Sequence, residues 1–297
     1  MKILFTFPGQ GGQRPGMLAM IPDREAILTQ ARAVLGDEVD TLDSADALQH
    51  TRAVQLCLLI AGVAWARELQ RQGVDPQMVS GLSIGAFSQP DVIAALRQPD
   101  VVALRGDLME QAYPEGYGLT AIMGLTRPRV EALMQGHEVY LANLNAETQF
   151  VIAGRDEAMA EVAQLALRAG ASKAQRLAVS VPSHCALLDN PAAALAKAFA
   201  DVTLTRPQRA YLSGSTARVL WDPQRIADDL AMNMARPVHW QEAMVAADER
   251  DARLAIEMPP GGVLTCLTRQ AGWRGETIAL ERSGLDVARH LAQRLSD

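Results

Sequence analysis

Met78-Val79-Ser80-Gly81-Leu82-Ser83-Ile84-Gly85 reads as a buried strand running into a Gly-x-Ser-x-Gly turn. A short apolar run bounded by glycine is the pattern of a strand covered on both faces. In Gly81-Leu82-Ser83-Ile84-Gly85 the serine would sit on a sharp strand-to-helix turn with its hydroxyl exposed above a sheet. The glycines are needed because side chains there would collide with the flanking strand and helix. Roughly one chain in ten of this length carries the pattern by chance, so the strand before it and the short helical stretch after it carry the argument. A strand feeding a helix through such a turn belongs to an α/β fold.

Upstream, Lys2-Ile3-Leu4-Phe5-Thr6-Phe7 reads as another buried strand, ended by Pro8-Gly9-Gln10-Gly11-Gly12-Gln13. Three glycines in six residues let the backbone N–H groups of this loop approach a ligand closely. From Thr51 to Gln72, Leu56, Leu59, Ile60 and Val63 follow the spacing of an amphipathic helix, with Gly73 as its stop. The middle third changes character. Thr120 to Leu125 reads as a strand, Arg129 to Gln135 as a helix, and Glu138 to Leu144 and Gln149 to Ala153 as two strands joined by an Asn-rich turn. Asp156 to Arg168 follows as a helix and Lys173 to Ser180 as a strand. The order β-α-β-β-α-β is that of a ferredoxin-like unit. The expected organisation is an α/β large domain, residues 1–118 and 188–297, with an inserted ferredoxin-like small domain, residues 119–187. Beyond it, helices are expected near Pro191 to Ala200, Ile226 to Asn233, Trp240 to Ala247 and Val287 to Leu295, and strands near Ala210 to Leu212, Leu254 to Met258 and Thr277 to Leu280.

With 49% hydrophobic and 21% charged residues, 297 residues supply a sizeable core for about two domains. Ordinary counts of glycine (22) and proline (15) exclude collagen-like and disordered chains. The net charge of −6, with no run of lysine and arginine, argues against nucleic-acid affinity and polybasic membrane docking. Cys57, Cys185 and Cys266 are far apart, so neither a disulfide framework nor a zinc site is expected, and no other metal is. The longest apolar stretch, Leu56 to Ala66, is too short to span a bilayer, and the apolar start runs straight into Pro8-Gly9-Gln10. A soluble cytoplasmic protein is expected.

Ser83 needs a base to become a nucleophile, and histidine is the usual one near neutral pH. Of His50, His137, His184, His239 and His290, His184 stands out: Val181-Pro182-Ser183-His184-Cys185 throws it into a loop after a strand. A base and an ordinary buried, hydrogen-bonded histidine both fit that setting. His50, His137 and His290 read as surface residues. Arg105 ends the apolar helical run Val101-Val102-Ala103-Leu104. It would either be solvated or paired with Asp107 or Glu110, or be held in a pocket where its planar fork suits a substrate carboxylate.

Six segments occur in register. They are Phe7-Pro8-Gly9-Gln10-Gly11, Gly81-Leu82-Ser83-Ile84-Gly85, Leu104-Arg105-Gly106-Asp107-Leu108-Met109, Ala142-Asn143-Leu144-Asn145 with Val151-Ile152-Ala153-Gly154, Pro182-Ser183-His184-Cys185-Ala186-Leu187 and Pro237-Val238-His239-Trp240. In this order they resemble the malonyl-CoA:acyl carrier protein transacylases over nearly the whole chain. The Gly-Leu-Ser-Ile-Gly-Ala-Phe turn, with Tyr113-Pro114 and Tyr117-Gly118 downstream, is most similar to the transacylase (epsilon) subunit of malonate decarboxylase.

The resemblance implies a hydrolase-like α/β large domain with an inserted ferredoxin-like small domain, with Ser83 as nucleophile, His184 as general base and acid, and Arg105 as the clamp on a malonyl carboxylate. It places the amides of Gln10 and Ile84 in an oxyanion hole, with Gln10 also facing the substrate. Asn233 falls where the family commonly has a glutamine whose main-chain carbonyl orients the histidine. No cofactor is implied, coenzyme A entering as a thioester substrate; the implied partners are malonyl-CoA, an acyl carrier protein and other malonate decarboxylase subunits. Arg14, Arg127, Arg129 and Lys173 are unranked candidates for the coenzyme A phosphates. Three departures stand out: Leu82 and Ala86 replace a common histidine and glutamate, Pro90 should kink or end the helix behind the serine, and the Ser83 to Arg105 segment is shortened. Two rival readings are a serine hydrolase or thioesterase, which would usually add an acid such as Asp91, Asp100, Asp107 or Asp156, and an inactive subunit that only docks a carrier protein.

Overall fold

Residues 3–7 of β1 (Lys2–Phe7) are all buried, as in a strand whose sheet is covered on both faces. The computed structural model describes residues 1–89, 98–113, 115–200, 202 and 205–296. Its strands are β1, β2 (Met78–Gly81), β3 (Tyr117–Met123), β4 (Val139–Ala146), β5 (Gln149–Arg155), β6 (Lys173–Arg176), β7 (Ala210–Leu212), β8 (Val219–Leu220), β9 (Ala252–Glu257) and β10 (Glu276–Ala279). Its α-helices are α1 (Arg24–Leu35), α2 (Thr51–Arg71), α3 (Gln98–Ala112), α4 (Arg127–Met134), α5 (Asp156–Arg168), α6 (Asp189–Phe199), α7 (Pro223–Met232), α8 (Trp240–Glu249), α9 (Val263–Gln270) and α10 (Leu280–Ser296).

A six-stranded sheet runs β10-β9-β1-β2-β7-β8. Its pairings are parallel except β7 with β8, which is antiparallel. Alternation along the strands divides the core. Leu4, Met78 and Leu212 pack against Trp240, Met244 and Leu264 on one face, and Phe5, Phe7, Val79 and Ile256 pack against Ala66, Leu69, Leu280 and Ala288 on the other. α2 differs from its sequence reading: residues 53–64 are all buried, so it is a core helix rather than an amphipathic one. α3 lies tightly on it, because a Cβ on Gly106 would come within 2.5 Å of the Arg52 Cα. That contact sets the depth of the neighbouring Arg105.

The second sheet is four-stranded, ordered β4-β5-β3-β6, with antiparallel neighbours. Together with α4 and α5 it follows the expected β-α-β-β-α-β order. Ile122, Phe150 and Ile152 pack beneath Val130, Met159 and Val162, while Leu119, Ala142, Val151 and Ala153 pack on Cys185. β6 stops at Arg176 rather than Ser180. The Arg176 guanidinium donates to the carbonyls of Tyr117 and Val179, closing that edge with a side chain.

α1 and α9 were not foreseen from periodicity, and α10 starts seven residues before the expected Val287 because it continues across a bend at Gly284. The expected kink at Pro90, and Asp91, lie outside the described residues. The three cysteines are free. Among the described residues no helix is long and apolar enough to cross a membrane, and no group of three or more His, Cys, Asp or Glu side chains could hold a metal ion.

Candidate active site

β1 and β2 lie side by side, Phe7 opposite Gly81, so the glycine-rich loop and the serine turn leave the sheet together at its carboxyl edge, where open α/β sheets bind ligands. Three glycines make this possible. A Cβ on Gly85 would lie 2.1 Å from the Phe7 carbonyl oxygen, one on Gly81 would lie 2.2 Å from the Gly85 carbonyl carbon, and one on Gly9 would meet the Leu82 side chain at 2.8 Å. The Leu82 amide donates to the Phe7 carbonyl at 3.0 Å, locking the turn to β1. Ser83 then opens a 3-10 turn (Ser83–Ser88) in left-handed backbone, φ 58°. That conformation costs a non-glycine residue about 1–3 kcal/mol and is held by the packing around it. The Gln10 and Ile84 amides have no acceptor among the described residues.

Arg105 is neither solvated nor paired with its neighbours. Asp107 pairs with Arg52 at 2.6 Å, and Glu110 takes His50 and the Thr51 amide. The guanidinium itself is fully buried. Its Nη2 donates to Ser83 Oγ at 3.2 Å and to Asn233 Oδ1 at 2.9 Å, and its carbon stands 5.5 Å over the Phe87 ring. Nε and Nη1 have no hydrogen-bond partner among the described residues. Burial pushes its pKa down to about 9, still leaving it charged at neutral pH.

Asn233 closes the circuit. Its Nδ2 donates to the Ser83 carbonyl at 3.1 Å, and its own carbonyl accepts from His184 Nδ1 at 2.8 Å, with the Arg236 carbonyl at 3.2 Å. Carbonyls only accept, so Nδ1 carries the proton and Nε2 is the free acceptor. Burial, with the Arg105 charge adding to it, pushes the His184 pKa down to about 4 against the pull of the two carbonyls. The backbone is left-handed here too, φ 65°, and the His184 amide is tied to the Met234 carbonyl at 2.6 Å. Among the described residues Ser83 and His184 make no direct hydrogen bond. They meet through Asn233 and Arg105.

The other histidines are elsewhere: His50, His137 and His239 pair with Glu110, Glu161 and Glu242, and His290 is exposed. Asp156 pairs with Arg176, and Asp100 is exposed. Of the four basic candidates for phosphates, Arg14 pairs with Glu281, Arg127 pairs with Glu131, Arg129 donates to the Ala169 carbonyl and Lys173 is exposed. Leu82 and Ala86, in place of polar residues, sit among apolar neighbours. Sequence reasoning missed Phe87, Arg236 and the Asn233 carboxamide. Phe87 had a signal, being the one aromatic side chain in the six residues after Ser83.

The acyl transferase domain model matches residues 4–283. The chain belongs to that family. Within it, this acyl transferase is similar to the malonyl CoA-acyl carrier protein transacylase of Salmonella typhimurium, 35% identical over 285 residues, 91% of this chain and 92% of that protein. The Bacillus subtilis transacylase of the same name is 30% identical, with 94% and 93% covered. Among solved structures, the transacylase from Coxiella burnetii superposes with a TM-score of 0.90 at 29% identity, over 100% of this chain and 98% of that one. A malonyl-transacylase in complex with a type II polyketide synthase acyl-carrier protein gives 0.89 at 32% identity, over 98% and 99%.

Proposed function

We propose that this acyl transferase moves a malonyl group from malonyl-CoA to the thiol of an acyl carrier protein through a malonyl ester on Ser83. One observation carries the reading: a fully buried guanidinium with two unpartnered nitrogens, its third nitrogen on the hydroxyl of a serine in a strained turn. A buried cation missing hydrogen bonds is costly, and a carboxylate on the acyl tail completes it.

In the first half-reaction His184 Nε2 takes the Ser83 proton as Oγ attacks the thioester carbonyl, and the imidazolium then protonates the departing coenzyme A sulfur. The Gln10 and Ile84 amides stabilise the developing oxyanion; one such donor is worth about 2.7–4 kcal/mol of transition-state stabilisation. In the second half-reaction His184 deprotonates the carrier thiol, which attacks the ester, and the proton returns to Ser83. The carbonyls of Asn233 and Arg236 hold the imidazole in the required tautomer, a role that a carboxylate fills in most serine hydrolases. That difference favours transfer over hydrolysis. Arg105 selects malonyl over acetyl because an acetyl group leaves the guanidinium incomplete. The Gly81 to Phe87 turn, with Tyr113 and Tyr117, supports service in a malonate decarboxylase, which a map of neighbouring genes tests.

Mass spectrometry after mixing with malonyl-CoA tests the chemistry. The expected result is a malonyl adduct on Ser83, absent from Ser83→Ala and discharged faster by carrier thiol than by water. Spontaneous loss at the same rate without carrier would make the protein a hydrolase, and no adduct would make it a docking subunit.

A further inference from the structure

The Asn233 side chain does something that its main chain does not. Asn233 is 6% exposed, and its carboxamide both donates and accepts: Oδ1 takes the Arg105 Nη2 hydrogen and Nδ2 donates to the Ser83 carbonyl. The Ser83 carbonyl and the Ile84 N–H belong to one planar peptide group, so fixing the oxygen fixes the direction of that N–H. At the other end, Arg105 has Phe87 beneath it and, beyond Asn233 and the Ser83 hydroxyl, no other hydrogen-bond partner for its guanidinium among the described residues. We infer that the Asn233 carboxamide is a positioning residue that fixes two things at once: the Arg105 guanidinium, and through it the choice of acyl group, and the Ile84 amide, and through it the acylation rate.

The inference rests on the roles proposed above for Ser83, Arg105 and Ile84. Residue chemistry narrows the choice at position 233. Aspartate has the same shape but offers only acceptors, so it would pair with Arg105, cancel the charge meant for the substrate and repel the Ser83 carbonyl. Alanine would leave the Arg105 Nη2 with the serine hydroxyl alone and the Ser83 carbonyl unpaired. Glutamine restores both a donor and an acceptor. None of these substitutions removes the main-chain carbonyl that supports His184, so their effects report on the side chain.

The test is competition between malonyl-CoA and acetyl-CoA on the full chain, with the Ser83 adduct quantified by mass. Asn233→Ala and Asn233→Asp are each expected to lower the malonyl-to-acetyl ratio of kcat/KM at least tenfold and to slow acetyl acylation about tenfold in kcat, with Asn233→Gln recovering part of both. In an Arg105→Ala background the ratio should not fall further, while acetyl acylation should still slow. A ratio within twofold of the parent in Asn233→Asp, or an equal fall in the ratio with Arg105 absent, would overturn the inference. Asn233→Asp keeps the shape should Asn233→Ala not fold. Labelling that persists in Ser83→Ala would instead overturn the proposed function, so the two failures are told apart.

Discussion

At the residue scale the site keeps one charge where the fold would do better without it. Arg105 is buried with no carboxylate partner among the described residues and with two nitrogens unpartnered. Replacing even a buried ion pair by apolar groups of similar volume is often neutral or stabilises a protein by about 1–4 kcal/mol, and Arg105 lacks the compensating partner. Arg105→Met is therefore expected to raise Tm by several degrees in calorimetry while abolishing the malonyl preference in competition kinetics. His184 gives a pH signature. With its pKa pushed down to about 4, below the ordinary 6.5 of the unfolded chain, the unfolded state binds the extra proton first. Its contribution, roughly 3 kcal/mol, is complete above pH 6.5 and is lost as pH falls to about 4. Urea titrations should show stability falling across that window. The acid limb of the acylation rate should lie well below pH 6 and move upward in Arg105→Met, which removes the cation opposing the imidazolium. A limb unmoved by that substitution would dissociate Arg105 from His184.

At the scale of elements, the turn that carries Ser83 depends on backbone touching backbone. Gly85→Ala would bring a methyl to 2.1 Å from the Phe7 carbonyl, where neither atom can yield without parting β1 from the turn. A loss of about 3 kcal/mol or more is expected in urea titrations, and a near-parental midpoint would mean that the turn tolerates a shift. These glycines could be read from the sequence, as could the strands around them, because Gly-x-Ser-x-Gly states its own steric requirement. The depth of Arg105 could not. An arginine at the end of an apolar run looks the same whether solvated or enclosed, and its enclosure comes from α2, buried throughout residues 53–64, and from the close approach at Gly106. Nor could the Asn233 carboxamide be read, since its partners lie 128 and 150 positions away. α9 was missed because its start is organised from outside it: Glu257, at the end of β9, accepts from the Leu264 and Thr265 amides.

At the scale of the whole molecule, the order β10-β9-β1-β2-β7-β8 puts β1 between a partner that follows it in the first third of the chain and one that comes only at residues 252–257. A chain ended at residue 250 is expected to scatter light and resist refolding, because Phe5 and Phe7 lose part of their cover and one side of β1 stays unpaired. The same geometry bears on biosynthesis. At translation speeds of 5–20 residues per second, roughly ten to thirty seconds separate the emergence of β2 from that of β9. Throughout that interval the nascent polypeptide displays a half-zipped ribbon of aromatic and aliphatic side chains, the kind of surface that a ribosome-associated chaperone shields.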